Sequence, residues 1–224
     1  MTDRSPTETV SPVVQPFELG DFQTNCMLVT SGSPEPGAAC WIVDAGFDPE
    51  PMLDAARDQD LRVELIVLTH AHCDHIAGLA EARSRHPDAP IVMHELEREW
   101  LADPMLNLSA ALGLSITAPS ADRFIEPGDE LTLGETTFRI AFTPGHSPGG
   151  VSLIHEPSKT AIVGDTLFNG SIGRTDFPGS DHATLERSIR EQLYTLDPET
   201  VCYPGHGPTT TIGREMATNP FVRA

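Results

Sequence analysis

The apolar run VELIVL, residues 63–68, passes without a gap into THAHCDH, residues 69–75. A run of this kind predicts a buried strand, and a buried strand must surface at the edge of a covered sheet. Here its end delivers His70, His72, Asp74 and His75 within six residues. A purely structural loop has little reason to crowd ionisable groups at such a place, because each would need solvent or a partner once the sheet packs. On an extended segment His70 and His72 point to the same side and can grip one ion. Asp74 and His75 follow after the chain begins to turn, so they can diverge toward a second ion nearby. Two close ions are the arrangement in which a bridging water loses a proton near neutral pH.

The remaining histidines sort by position. His146 lies in TPGHSPGG after FRIAF, Asp165 ends AIVGD, and His206 lies in YPGHG after TVC. Each follows a strand-like apolar run, so converging strand ends would let His146 complete the first site and His206 the second, with Asp165 able to bridge them. Imidazole and carboxylate together suit zinc, iron or manganese, and the lack of a thiolate cluster argues against a structural zinc site. Glycines beside His146 and His206 permit the tight turns of a crowded cluster. His86, His94, His155 and His182 carry no such pattern and read as ordinary hydrogen-bonded residues.

Composition narrows the function classes. The 224 residues are 39% hydrophobic with 18 Gly and 20 Pro, which suits a turn-rich globular chain. Residues 1–11, rich in Pro, Ser, Thr and Glu, are expected to be a flexible segment, and 12–224 one domain. No stretch reaches the length of a membrane helix and the N-terminus lacks the apolar core of a secretory signal, so a cytoplasmic protein is expected. Four cysteines without CxxC spacing are expected to be reduced thiols. A formal charge of −19 repels phosphate backbones and anionic membranes, which counts against nucleic-acid and membrane partners.

Along the chain, VVQPFEL, NCMLVTS and ACWIVDAG read as strands and PEPMLDAARDQD as a helix feeding VELIVLT. IAGLAEARSRHP is expected to be a second helix, PIVMH a strand and ELEREWLA a third helical stretch. From about Ala118 strand candidates ELTLG, TTFRIAFT, GVSLIHE and TAIVGD succeed one another as in an antiparallel sheet. The loop TLFNGSIGRTDFPGSD then leads to a helix HATLERSIREQLYTL, a strand TVCYPG and a helical piece TTIGREMA. Two similar halves, helices outside and sheets inside, are the expected arrangement.

The segment THAHCDHIAG, followed in order by His146, Asp165 and His206, resembles the ligand signature of the metallo-β-lactamase superfamily over roughly residues 12 to 215. The resemblance implies an α/β fold, the αββα sandwich of two mixed β-sheets flanked by helices. It implies His70, His72 and His146 around one metal, Asp74, His75 and His206 around a second, and Asp165 between them. Within the superfamily the chain is most similar to the small bacterial glyoxalase II-like (hydroxyacylglutathione hydrolase-like) hydrolases, and GRTDF, residues 173–177, resembles a segment they share with persulfide dioxygenases. Full-length glyoxalase II has an additional helical domain that binds glutathione, which this chain is not expected to form. The nuclease members also carry an additional domain, and the net charge argues against them.

The expected reaction is hydrolysis of a small-molecule thioester or related ester at a pair of divalent ions, zinc foremost, that activates a bridging hydroxide. Asp74 would also orient that nucleophile, and a thiolate leaves without a dedicated general acid. Asp44, ending CWIVD, is placed to hydrogen-bond a ligand imidazole. Phe168, Arg174 and Asp176 are candidate substrate contacts, with Arg174 and Asp176 equally able to form an ion pair; Trp100 and Met105 are possible pocket walls, and these two and Phe168 are equally able to be core residues. Cys73, between ligands, reads as an inert, partly buried thiol, with a redox-sensitive or metal-touching role as the alternative. The competing enzyme class is a mononuclear Fe(II) persulfide dioxygenase using His70, His146 and Asp165. A lactonase or a non-catalytic binding protein is less favoured.

Overall fold

The computed structural model describes residues 10–223. The expected flexible segment therefore lies largely outside the described residues; of its last positions, Ser11 already accepts a hydrogen bond from the Gly32 amide at 3.1 Å. The chain runs β1 (Pro12–Leu19), β2 (Thr24–Ser31), β3 (Ala39–Val43), α1 (Glu50–Asp58), β4 (Arg62–Val67), α2 (Cys73–Ile76), α3 (Leu79–Arg85) and β5 (Ile91–His94). After 3-10 turns at Glu95–Leu101 and Ser109–Leu112 come β6 (Arg123–Ile125), β7 (Glu130–Leu133), β8 (Thr136–Phe142), β9 (Val151–His155) and β10 (Thr160–Gly164). The last part holds β11 (Leu167–Phe168), β12 (Ser171–Ile172), α4 (His182–Ser188), β13 (Val201–Pro204), β14 (Thr210–Thr211) and α5 (Ile212–Thr218).

Two six-stranded sheets face each other. The first has the order β1-β2-β3-β4-β5-β6 and the second β14-β13-β10-β9-β8-β7. Both are mixed: β3 to β6 run parallel and β1 to β3 antiparallel, while β13 lies parallel to β10 in an otherwise antiparallel second sheet. Strand alternation splits the core into layers. In β2, Met27 and Val29 face the second sheet and meet Phe138, Ile140 and Leu153, whereas Cys26 and Leu28 face Met52, Leu53 and Leu79 of the helices. On the far side, Ile154, Ala161 and Val163 pack against Leu185 and Ile189. Sheets covered on both faces explain why these strands are nearly continuous apolar runs.

The α/β sandwich expected from the sequence is thus the observed fold. Local details differ. The helix expected from Ile76 is interrupted at Ala77–Gly78, where an added Cβ on Gly78 would meet the Gly46 carbonyl at 2.3 Å. β6 joins the first sheet, so the first half extends past Ala118. The long loop after Asp165 contains the β11–β12 hairpin. The helix beginning at His182 passes into a π-helical turn at Ile189–Leu193.

Candidate metal centre

Parallel strands β3 and β4 end side by side, and β8, β10 and β13 end opposite them, so the loops that follow meet at one rim of the sandwich. Three sets of ligand atoms come together there: His70, His72 and His146; Asp74, His75 and His206; and His70, His75 and Asp165, with the atoms of each set within 4.8 Å of one another. All seven residues singled out in the sequence take part. Asp165 reaches both sides: its Oδ2 lies 3.5 Å from His146 Nε2 and 3.5 Å from His206 Nε2, and its Oδ1 lies 3.4 Å from His75 Nε2.

Hydrogen bonds assign the tautomers. The Thr69 hydroxyl has one proton and donates it to Asp44 Oδ2 at 2.7 Å, so it accepts from His70 Nδ1 at 3.1 Å and leaves His70 Nε2 bare. His75 donates Nδ1–H to Asp44 Oδ2 at 2.8 Å, as the sequence suggested for a ligand imidazole. His146 donates Nδ1–H to the Arg174 carbonyl at 2.8 Å, and His206 donates Nδ1–H to the Phe22 carbonyl at 3.2 Å. These four imidazoles therefore aim Nε2 into the cluster. His72 instead places Nδ1 2.9 Å from His146 Nε2, a separation at which a proton or a cation must lie between the two lone pairs.

The site fits a metal on its own geometry. His70 Nε2, His75 Nε2 and Asp165 Oδ1 are buried without a hydrogen-bond partner among the described residues. Unsatisfied buried polar atoms are rare and costly, and three aimed at one point are the donor set a cation would satisfy. Ionisation follows the same logic. Burial, then the charges of neighbouring imidazoles, keeps His70 well below the ordinary histidine range. Burial and His146 push His72 down to about 3. Burial also disfavours the cations of His75 and His206, but the carboxylates outweigh it, holding His75 well above its ordinary value and raising His206 to about 9. Burial disfavours the Asp74 anion too, yet His75 and His206 bring it down to about 2. In the metal-free cluster His75 and His206 are thus favoured as cations beside the Asp74 and Asp165 carboxylates, and a metal would take the place of those protons.

Several supporting residues carried no signal in the sequence. The Thr24 hydroxyl donates to Asp74 Oδ2 at 3.0 Å. Asn25 ties down the loop of His206, donating from its amide to the carbonyls of Pro204 and Gly207 at 3.0 and 2.8 Å. Glu97, fully buried, accepts from the Ala71 amide and from the Gly149 amide, each at 2.6 Å, and so joins the loop of His70 and His72 to that of His146. Glu97 stands among exposed charged neighbours in ELEREW, where nothing local marks it as a buried acid. The glycine expectation is met at Gly145, with φ +127°, and at Gly205, where an added Cβ would lie 2.1 Å from Asp165 Oδ1.

A cavity of about 540 Å³ opens over the cluster, with Phe168, Met105 and Arg174 on its walls. Arg174 also forms a two-pronged ion pair with Asp176 at 2.9 and 2.8 Å, the pairing the sequence offered as an alternative. Asp176 itself is not on the cavity wall, and neither is Trp100. Trp100 instead packs its ring 5.5 Å from that of His72, because the Glu95–Leu101 turn runs beneath the cluster. Cys73 lines the cavity as a thiol that burial and then Asp74 push up to about 11.

Comparison with known proteins agrees with this geometry. The Metallo-beta-lactamase superfamily model matches residues 19–206. The chain is 40% identical over 205 residues to the probable metallo-hydrolase YqgX of Bacillus subtilis, covering 91% of this chain and 94% of that one. It is 37% identical over 205 residues to the hydroxyacylglutathione hydrolase GloC of Haemophilus influenzae, covering 91% and 94%. Among solved structures, the BLEG-1 B3 metallo-beta-lactamase is similar with a TM-score of 0.88 and 39% identity, over 95% of this chain and 100% of that one. TTHA1623 in a di-iron-bound form is similar with a TM-score of 0.82 and 38% identity, over 93% and 100%. Fold, ligand order and these matches together make the chain a member of the metallo-β-lactamase superfamily, in which it is similar to metal-dependent hydrolases.

Proposed function

We propose that the protein is a metal-dependent thioesterase of the hydroxyacylglutathione hydrolase type in its chemistry, acting on a small-molecule thioester or related ester. The observation that carries the reading is the position of Asp165, whose two oxygens approach imidazoles of both ligand sets. His70, His72 and His146 would hold one divalent ion and Asp74, His75 and His206 the other, with Asp165 shared. Zinc suits this donor set, and iron is the main competitor because TTHA1623 is similar and di-iron-bound. When bound, such a pair supplies a nucleophile from water at neutral pH and polarises the carbonyl.

The chain's own residues do the remaining work. Asp74 lines the cavity and is oriented by the Thr24 hydroxyl, so its carboxylate is placed to align the attacking water and hold its proton. Asp44 and Thr69 fix the rings of His75 and His70 before substrate arrives, which spares reorganisation during the reaction. Phe168 and Arg174 line the approach to the cluster, and Asp176 holds the Arg174 guanidinium. In the balanced reaction the carbonyl carbon gains the water oxygen, the C–S bond breaks, and a proton goes to the leaving thiolate. Four free, buried cysteines suit a reducing cytoplasm.

The test is thiol release from S-lactoylglutathione and simple acyl thioesters by zinc- and iron-loaded protein, beside nitrocefin opening and oxygen uptake on glutathione persulfide. Thiol release as the dominant activity is expected. Oxygen uptake with one iron per chain would replace this reading with the persulfide dioxygenase, and nitrocefin as the preferred substrate would replace it with a β-lactamase.

A further inference from the structure

The cavity over the ligand cluster is unlike the rest of the surface. Its walls beyond the ligands are Phe22 from the β1–β2 turn, Met105, Leu108 and Leu112 from the segment before β6, and Phe168 and Phe177 from the loop after Asp165. Phe22, Met105 and Leu112 are exposed to 41%, 72% and 49%. Large apolar side chains gathered around a concave site, in a chain of net charge −19, mark a place where an apolar group is taken out of water.

The ionisable groups on the same walls point the same way. Apart from Cys73 and the ligand residues, Arg174 is the charged side chain that lines the cavity. Its Nε and Nη2 are both taken by Asp176, and its guanidinium carbon lies 4.2 Å from the centre of the Phe177 ring. A glutathione thioester brings two carboxylates, and among the described residues the cavity wall beyond the ligands offers them one cation, Arg174, already shared with Asp176. Burying both here would leave at least one charge unpaired.

Resting on the thioesterase reading, we infer that the group attached to the scissile carbonyl is an uncharged, apolar acyl chain. It is seated against Met105, Leu108, Leu112 and Phe177 with the carbonyl over the ligand cluster, and glutathione conjugates are poor substrates. The cavity volume lies in the range of ordinary small-molecule clefts, large enough for a chain and not only for a small hydroxyacyl group. Each further methylene buried on that wall strengthens binding by a few-fold, about the increment of apolar transfer.

The experiment uses zinc-loaded protein and thioesters of the neutral thiol N-acetylcysteamine with acetyl, butanoyl, hexanoyl and octanoyl chains, beside S-lactoylglutathione. In parallel, calorimetry measures binding of the unhydrolysable S-ethyl and S-octyl thioethers of the same thiol. We expect kcat/KM to rise at least tenfold from acetyl to octanoyl, octanoyl to exceed S-lactoylglutathione at least tenfold, and S-octyl to bind at least tenfold tighter than S-ethyl. Leu112→Lys should flatten all three trends. A flat chain-length series, or preference for S-lactoylglutathione, would overturn the inference and leave the thioesterase reading standing. Tight S-octyl binding without thiol release from any thioester would overturn the thioesterase reading while supporting an apolar ligand. If Leu112→Lys converts a dimer to a monomer and leaves the chain-length series intact, the wall docks a second copy of this chain and the inference fails.

Discussion

The two walls of the ligand cluster are held by different means. On the wall built by the first sheet, side chains orient the ligands: Thr69 holds His70, Asp44 holds His75 and Thr24 holds Asp74. On the wall built by the second sheet, His146 is oriented by the Arg174 carbonyl, and backbone proximity is secured by Gly145 and Gly205. His206 belongs to this second wall but takes its orientation from the Phe22 carbonyl of the first, through a loop clamped by Asn25. The first wall should therefore be the more sensitive to the identity of the polar side chains at Thr24, Asp44 and Thr69, and the second to added bulk at Gly145 and Gly205.

The strongest break of the second wall is Gly205→Ala. Its methyl would meet Asp165 Oδ1 at 2.1 Å and His75 Cε1 at 2.8 Å, so the shared carboxylate must move. Displacements of this size near the reacting atoms cost about a hundredfold, and kcat/KM on a thioester should fall by at least that much. On the first wall, Asp44→Asn keeps the shape but puts an amide where the carboxylate accepts from Thr69 N, Thr69 Oγ1 and His75 Nδ1. Metal affinity, read by competition with a chelator, should weaken by roughly 10–100-fold.

Glu97 sharpens the comparison because it spans both walls. Glu97→Gln turns one of two buried acceptors toward a backbone N–H as a donor. Urea unfolding should register a loss of about 1–3 kcal/mol, and metal loading should weaken on both loops together. The smallest effect is expected for Arg174→Ala. His146 depends on the carbonyl of that residue and not on its exposed side chain, so turnover of neutral thioesters should stay within about threefold. A large loss would mean that the side chain, and not the backbone, matters on this wall.

The same difference explains what could be read from the sequence. THAHCDH was legible because four ligands fall on one strand end, where the period of two and the following turn assign them to two sets. His146, Asp165 and His206 were legible only as a group, since each is a lone polar residue after an apolar run. Strands were legible wherever both faces are buried, as in β2 and β4, but β6, a three-residue edge strand, gave no run long enough to register. Asp44 could be placed by its position after CWIV, whereas Glu97 and Thr24 act through contacts 26 and 50 residues away that local pattern does not encode. Of the two places open to Trp100, pocket wall or core, the structure shows the core, since the turn that carries it runs beneath His72.

Everything proposed for the site depends on a paired centre shared through Asp165. The direct check strips the protein with a chelator, titrates it with Zn²⁺ and counts bound ions by elemental analysis in wild type and in His206→Ala. Two ions per wild-type chain and one in the variant are expected. A single ion in both would contradict a paired centre, whatever the protein hydrolyses.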